Sequence, residues 1–135
     1  MIAENWMVTV RTADHSDMDK AKTFIRRLFP KAMVSISDDD IVLLARYKDR
    51  IVGFAHMVDD GDCVILHGLG VDDSMRGQGL GTLLLQQILA TIDEDIPILL
   101  KVKAMNPAVD LYARHGFFVK RFRDDVLTLV KMPNC

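Results

Sequence analysis

Leu69-Gly-Val-Asp-Asp-Ser-Met-Arg-Gly-Gln-Gly-Leu-Gly-Thr82 is the stretch on which the rest of the chain turns. An apolar run stops in it, a polar turn follows, and glycines open a segment of helically spaced apolar residues, the order expected of strand, anion-binding loop and helix. The spacing Arg76-x-x-Gly79-x-Gly81 puts residues without Cβ where consecutive N–H groups can converge on one ligand. Such a nest at a helix N-terminus suits phosphate, and Arg76 adds a cation able to grip a diphosphate through two donors. A nucleotide-hydrolase loop would end in Gly-Lys-Ser/Thr, whereas Gly81 is followed by Thr82 with no lysine beside it. A dinucleotide fingerprint needs Gly-x-Gly-x-x-Gly, which Gly77-Gln-Gly79-Leu-Gly81-Thr does not give. The plain alternative is a glycine-rich helix entry that holds no ligand.

Around this stretch, 135 residues, half of them hydrophobic, suffice for one compact domain spanning 1–135 with a real core. A net charge of −2 with scattered Lys and Arg argues against a nucleic-acid binder. The start Met-Ile-Ala-Glu-Asn-Trp lacks a basic, then apolar, leader, and no apolar run approaches a membrane span, so a cytoplasmic protein without a membrane partner is expected. Cys63 and Cys135 form neither a metal-type cluster nor a disulfide framework, and Cys63 reads as a small buried thiol at the start of a strand. No metal is expected.

Taken in order, Met7 to Thr12 alternates as a half-buried strand. Ser16 is a candidate N-cap for a helix carrying Met18, Ala21, Phe24, Ile25 and Leu28 and stopped by Pro30. Met33, Val34 and Ile36 suggest a short helix or turn, and Asp38-Asp39-Asp40 a solvated loop. Ile41–Tyr47 and Ile51–Val58 flank Lys48-Asp49-Arg50 as an antiparallel hairpin, and Asp59-Asp60-Gly61-Asp62 turns the chain into a fourth strand, Cys63–Val71. Gly53 marks either a close backbone approach or a bulge. From Gly79, Leu80, Leu84, Ile88 and Ile92 make an apolar stripe that ends before Asp93-Glu-Asp95. Pro97–Val102 is a fifth strand, and the strand-helix-strand order implies a right-handed crossover with strands four and five parallel. Asn106 and Pro107 open a helix closed by Arg114, His115 and Gly116, and Phe117–Phe122 and Val126–Met132 form a last hairpin about Arg123-Asp-Asp125. The expected fold is α/β (or α+β), a mixed sheet of about seven strands with helices on both faces.

The loop pattern resembles the acetyl-coenzyme A loop of the GNAT superfamily, Arg/Gln-x-x-Gly-x-Gly/Ala, met by Arg76, Gly79 and Gly81. A second stretch, Asn106-Pro-Ala-Val-Asp-Leu-Tyr-Ala-Arg-His-Gly-Phe117, is similar to that family's Asn-x-x-Ala/Val-x-x-Leu-Tyr-x-x-x-Gly-Phe motif at Asn106, Leu111, Tyr112, Gly116 and Phe117. The two motifs occur in family order, and the strand and helix order follows the family fold over nearly the whole chain. The departure lies at residues 14 to 40, where helices that usually shape the acceptor site look short and irregular.

The resemblance implies acetyl-CoA as donor substrate and direct acetyl transfer to a primary amine of a small molecule or peptide, without a covalent enzyme intermediate. It implies that the backbone of Leu69, Gly70 and Val71 holds the pantetheine and acetyl group. The amides of Gly77, Gln78, Gly79, Leu80, Gly81 and Thr82, with Arg76, would hold the diphosphate, and Asn106 and Tyr112 would complete the cofactor site. Tyr112 is the candidate general acid, since a phenol is protonated at neutral pH and can protonate a departing thiolate. A core tyrosine packed beside Leu111 is the alternative. His67 is the candidate base, because it interrupts the apolar Val64-Ile-Leu66 run and histidine titrates near physiological pH. A structural histidine is its alternative. His56 is a weaker candidate, and His15 and His115 read as surface or capping residues. The competing functions are a catalytically silent acyl-CoA sensor of the same fold and an unrelated phosphate-binding module. The sequence leaves a homodimer open.

Overall fold

The computed structural model describes residues 8–31 and 34–133. Seven strands form one sheet in the order β1-β2-β3-β4-β5-β7-β6. They are β1 (Val8–Thr12), β2 (Ile41–Tyr47), β3 (Arg50–Asp59), β4 (Val64–Val71), β5 (Ile98–Lys103), β6 (Phe118–Arg123) and β7 (Val126–Lys131), with helices α1 (Met18–Leu28), α2 (Leu80–Leu89) and α3 (Ala108–Arg114). The seven expected strands are present within a residue or two. Met7, Met33 and Cys135 lie outside the described residues.

Period-two alternation sorts the sheet's side chains between two cores. Val42, Leu44 and Phe54 pack with Ala21, Phe24 and Ile25 of α1. Their neighbours Leu43, Ala45 and Ala55 join Leu80, Leu84, Leu85 and Ile88 of α2 and Tyr112 of α3. Helices therefore cover both faces. Two local expectations change. The turn before α1 is capped by Asp14, whose carboxylate accepts from Asp17 N–H at 3.1 Å while Asp17 reciprocates, and Ser16 only donates to Asp14. A carboxylate three residues upstream outcompetes the hydroxyl because the reciprocal box satisfies two helix-start donors at once. The segment 34–37 has no regular structure.

What positions the site is the way β4 leaves its neighbour. β4 and β5 run parallel and pair only over Val64–Leu66 and Ile98–Leu100, as the crossover through α2 requires. On its other side β4 stays paired to β3 up to Val71 opposite Gly53, with one register shift: His56 pairs with Gly68, and Met57 with Leu66. His67 is the extra residue of that bulge, and a bulge bends its strand. Gly68 and Gly70 then face Phe54, where an added Cβ would lie 2.9 Å and 2.8 Å from the ring. Phe24 and Phe29 pack edge-on against the same ring. Gly53 serves both readings offered for it: a Cβ there would meet Leu84 at 2.8 Å, and the β2–β3 register shifts beside it.

Gly70→Ala should therefore destabilise the fold by about 1–3 kcal/mol, since its methyl would also press on Leu28 and Phe29. Urea unfolding of Gly70→Ala, Phe54→Leu and the double variant checks this. Simple additivity of the two changes would show that the glycine does not make room for the ring.

Candidate active site

The loop is built as a nest. Asp72 caps the short turn Asp73–Met75 through its carboxylate and accepts from Arg27 of α1 at 2.8 Å. Bonds from the Ser74 hydroxyl, then from the Ser74 N–H and Arg27, hold the Asp72 carboxyl below its ordinary value despite burial. The loop's start is thus tied to α1. Gly77 (φ 76°) and Gly79 (φ 84°) are both left-handed, a conformation costly for any residue with a Cβ, and Gly79 is the N-cap of α2. Alternating left- and right-handed residues turn successive N–H groups inward. Leu83 N–H already bonds Gly79 O at 3.0 Å, so the donors the helix start presents are those of Gly79 to Thr82. A Cβ at Gly81 would meet Leu111 and Val71 only at ordinary contact, 3.7 and 3.9 Å, so a side chain is tolerated there. These features fit a diphosphate. Arg76 sits differently from expectation: its Nε lies 3.1 Å from Asp73 and 3.4 Å from Val71 O, so the guanidinium is turned back on its own turn.

Upstream along β4 a cavity of about 600 Å³ opens where β4 and β5 part. His67, Leu69, Asn106 and Tyr112 all line it. Gly70 and Val71 continue the strand from Leu69 to the loop, so the expected pantetheine and diphosphate positions are contiguous. Asn106 also has a structural task, its Oδ1 accepting from Ala108 N–H at 2.9 Å to cap α3. Tyr112, 6 % exposed, stands edge-on to Phe117, and burial pushes its phenol up to about 12. It is core and cavity wall at once, so the two readings of it coexist.

Asp40, read as part of a solvated acidic loop, is buried at the side chain, and its Oδ2 lies 2.8 Å from His56 Nε2. Burial raises the Asp40 carboxyl, but bonds from His56 and Ser37 N–H and the charges of His56 and His67 outweigh it, and the pKa is lowered. The His56 and His67 rings are 5.4 Å apart across the bulge. An Asp-His-His row thus reaches the cavity wall, with His56, the weaker candidate on sequence, in its centre. Histidine at the middle of β3 was the only available signal for it. Cys63 is half-buried beside β4 rather than buried, and His115 caps α3 through Leu111 O at 2.8 Å. Among the described residues no group of three His, Cys, Asp or Glu is placed to hold a metal ion.

A family model for the GNAT acetyltransferase domain matches residues 12–133. The chain belongs to that family. Its fold is shared with the ribosomal-protein-S18-alanine N-acetyltransferase of Escherichia coli (TM-score 0.81, 19 % identity, 96 % of each chain covered). It is shared also with Arabidopsis thaliana NAA60 in complex with a bisubstrate analogue (0.76, 20 %, 94 % of this chain and 99 % of that one). A third is the PaiA N-acetyltransferase of Thermoplasma acidophilum in complex with coenzyme A (0.71, 14 %, 93 % and 98 %). Curated protein sequences offer no match. The mixed seven-stranded sheet of this acetyltransferase is that of its structural relatives.

Gly81→Asp separates binding from folding in this GNAT chain. A first-turn carboxylate favours a helix start, while the same charge opposes a phosphate there. Calorimetry should show coenzyme A binding weakened about tenfold or more, the deficit shrinking in high salt, with an unchanged or slightly raised Tm. Unaltered affinity would remove the phosphate from this loop.

The Asp40 pKa carries a stability prediction of definite sign. A carboxyl lowered on folding stabilises the fold above its ordinary value of 3.8, and that contribution is lost as pH falls through the folded value. Asp40→Asn should cost about 1.5–3 kcal/mol in urea unfolding at pH 7, with the gap to the parent closing as pH falls below 3.8. A pH-independent gap would mean that the carboxylate's charge is not what His56 needs.

Proposed function

We propose that this acetyltransferase moves the acetyl group of acetyl-CoA to a primary amine, by direct attack within the cavity between β4 and β5. The observation that carries this reading is the end of β4–β5 pairing at Leu66 and Leu100, with β4 running on alone on that side to the loop of left-handed Gly77 and Gly79. The β5-facing edge of Leu69, Gly70 and Val71 has no strand beside it and can hydrogen-bond an extended pantetheine as a strand would. The diphosphate falls to the N–H groups of Gly77 to Thr82. Arg76 would have to swing from Asp73 to join them, an exposed pair of small cost. Coenzyme A bound to PaiA and a bisubstrate analogue bound to NAA60 support a donor of this kind in the shared fold.

The donor supplies an activated acyl group and a thiolate leaving group. The chain's residues do the rest. His67 takes a proton from the incoming ammonium, directly or through water, and His56, fixed by Asp40, faces the ring that receives it. Tyr112 keeps its proton at every physiological pH and donates a hydrogen bond to the departing sulfur. Gly68 and Gly70 leave Phe54 as the smooth floor on the α1 side. A cytoplasmic setting is part of the proposal, and among the described residues no helix is long and apolar enough to cross a membrane.

The test is a thiol-release assay with saturating acetyl-CoA and an acceptor found by screening amino acids, peptides, polyamines and aminoglycosides. Tyr112→Phe should keep coenzyme A affinity and Tm while kcat falls about a hundredfold. His67→Ala should lose turnover at pH 7 and recover part of it at higher pH, where more acceptor amine is neutral. Full activity in Tyr112→Phe would return the residue to the core. Tight acetyl-CoA binding by the parent with every acceptor inert would favour a silent sensor.

A further inference from the structure

On the α1 side, α1 lies over β3 and β4, while the outer strands expose a row of cations. Strand register fixes their common face. Lys101 of β5 pairs with Thr128 of β7, which pairs with Arg121 of β6, and Lys103 is linked in the same way through Val126 to Arg123. Directly paired antiparallel residues share a face, so the four side chains stand together, on the side opposite buried Leu100 and Val102. All four are exposed. Arg123 is partly matched by Asp124 at 3.8 Å in the adjoining turn. Lys101 and Lys103 also form one wall of the cavity, and Lys31, after α1, stands in another. No carboxylate lines the cavity among the described residues, and Asp40, behind the lining residue His56, is bonded to it. Two strand spacings and a two-residue rise spread the four charges over about 10 Å by about 7 Å, more than one carboxylate can cover.

A polyamine or aminoglycoside would meet like charge here. We propose that the acceptor is a polypeptide amine followed by acidic side chains, which lie on the strip formed by Lys101, Lys103 and Arg121 while the amine enters the cavity. This rests on the amine-acetylation reading above and names its substrate class. A nucleic acid could also meet a cationic strip but offers no aliphatic amine to acetylate, and the chain's net charge of −2 does not favour it.

The experiment uses three peptides with the same free N-terminus, whose positions 2 to 5 are all Asp/Glu, all Asn/Gln or all Lys. Two quantities are read: thiol release with acetyl-CoA, and fluorescence anisotropy of each labelled peptide on protein saturated with coenzyme A. The acidic peptide should exceed the amide peptide about tenfold in kcat/KM and in affinity, the advantage shrinking sharply in 0.5 M salt. In Arg121→Glu, which lies outside the cavity lining, the preference for the acidic peptide should fall severalfold, with coenzyme A affinity unchanged. If that variant does not fold, the charge series and its salt dependence in the parent decide. Equal use of the three peptides overturns the proposal. So does coenzyme A affinity falling in the charge-reversed variant, which would give the strip to the donor, or retention of duplex RNA with the acidic peptide unbound. Selective binding of the acidic peptide with no turnover would keep the strip and sink the transferase reading; turnover of all acceptors without charge preference would do the reverse.

Discussion

The parting of β4 from β5 after three residue pairs is the constraint on which the rest of the molecule depends. A buried backbone group without a partner is costly, and a strand edge exposed by an opening sheet is a row of such groups waiting for one. Three features hold the opening. The extra residue His67 bends β4, Phe54 occupies the space Gly68 and Gly70 vacate, and Asp72 locks the end of the strand to Arg27 on α1 and to Val52 O through its own N–H. Cavity, nest and Tyr112 are all consequences of that geometry, because each lines or terminates the same gap.

The Asp40-His56 pair is expensive by the same logic that makes the edge costly. Both side chains are nearly dry, and a buried pair repays its desolvation only when its geometry is good. A lowered Asp40 pKa means the carboxylate stays charged, so His56 must present an N–H at Nε2, which fixes the ring's orientation. The ring so oriented then faces His67, on the one residue of β4 that the ladder does not pair. The cost is offset in a place where it orders the cavity wall, which is where local violations of burial rules are expected.

What could be read from the sequence was what repeats or punctuates. Alternation marked the first strand and apolar runs between turn residues the others, the Leu80 to Ile88 spacing marked α2, and Gly77, Gly79 and Gly116 stood where left-handed backbone is required. The left-handed glycines were legible from local spacing, and Tyr112 was singled out by the resemblance of Asn106–Phe117 to a family motif. Asp40 was not, since three consecutive aspartates look solvated and only the fold of 34–40 over β3 shows which one is buried. The basic strip was invisible for a related reason: Lys101 and Arg121 become neighbours through the register of two strand pairs. Arg76 stands at the expected spacing, and its side chain turns to a nearer carboxylate, that of Asp73.

Burial of Tyr112 also changes what general acid can mean in the proposed chemistry. A phenol near 12 is about 3.5 units weaker an acid than an ordinary thiol, so full transfer of its proton to a thiolate would be uphill by about 5 kcal/mol. The favourable contribution is therefore a hydrogen bond that strengthens as charge builds on sulfur, an interaction made mainly in the transition state and so felt in the rate rather than in donor affinity. The low-dielectric surroundings of Tyr112, with Phe117 edge-on to its ring and Leu100 in the same core, make such a bond worth more than it would be in water. The same surroundings raise the thiol's own pKa and narrow the gap, so the proton the sulfur finally keeps can come from the acceptor ammonium, by way of His67 and solvent. On this reading Tyr112 is buried because its task is to hold a proton near the sulfur, and a phenol exposed to water would share that bond with solvent.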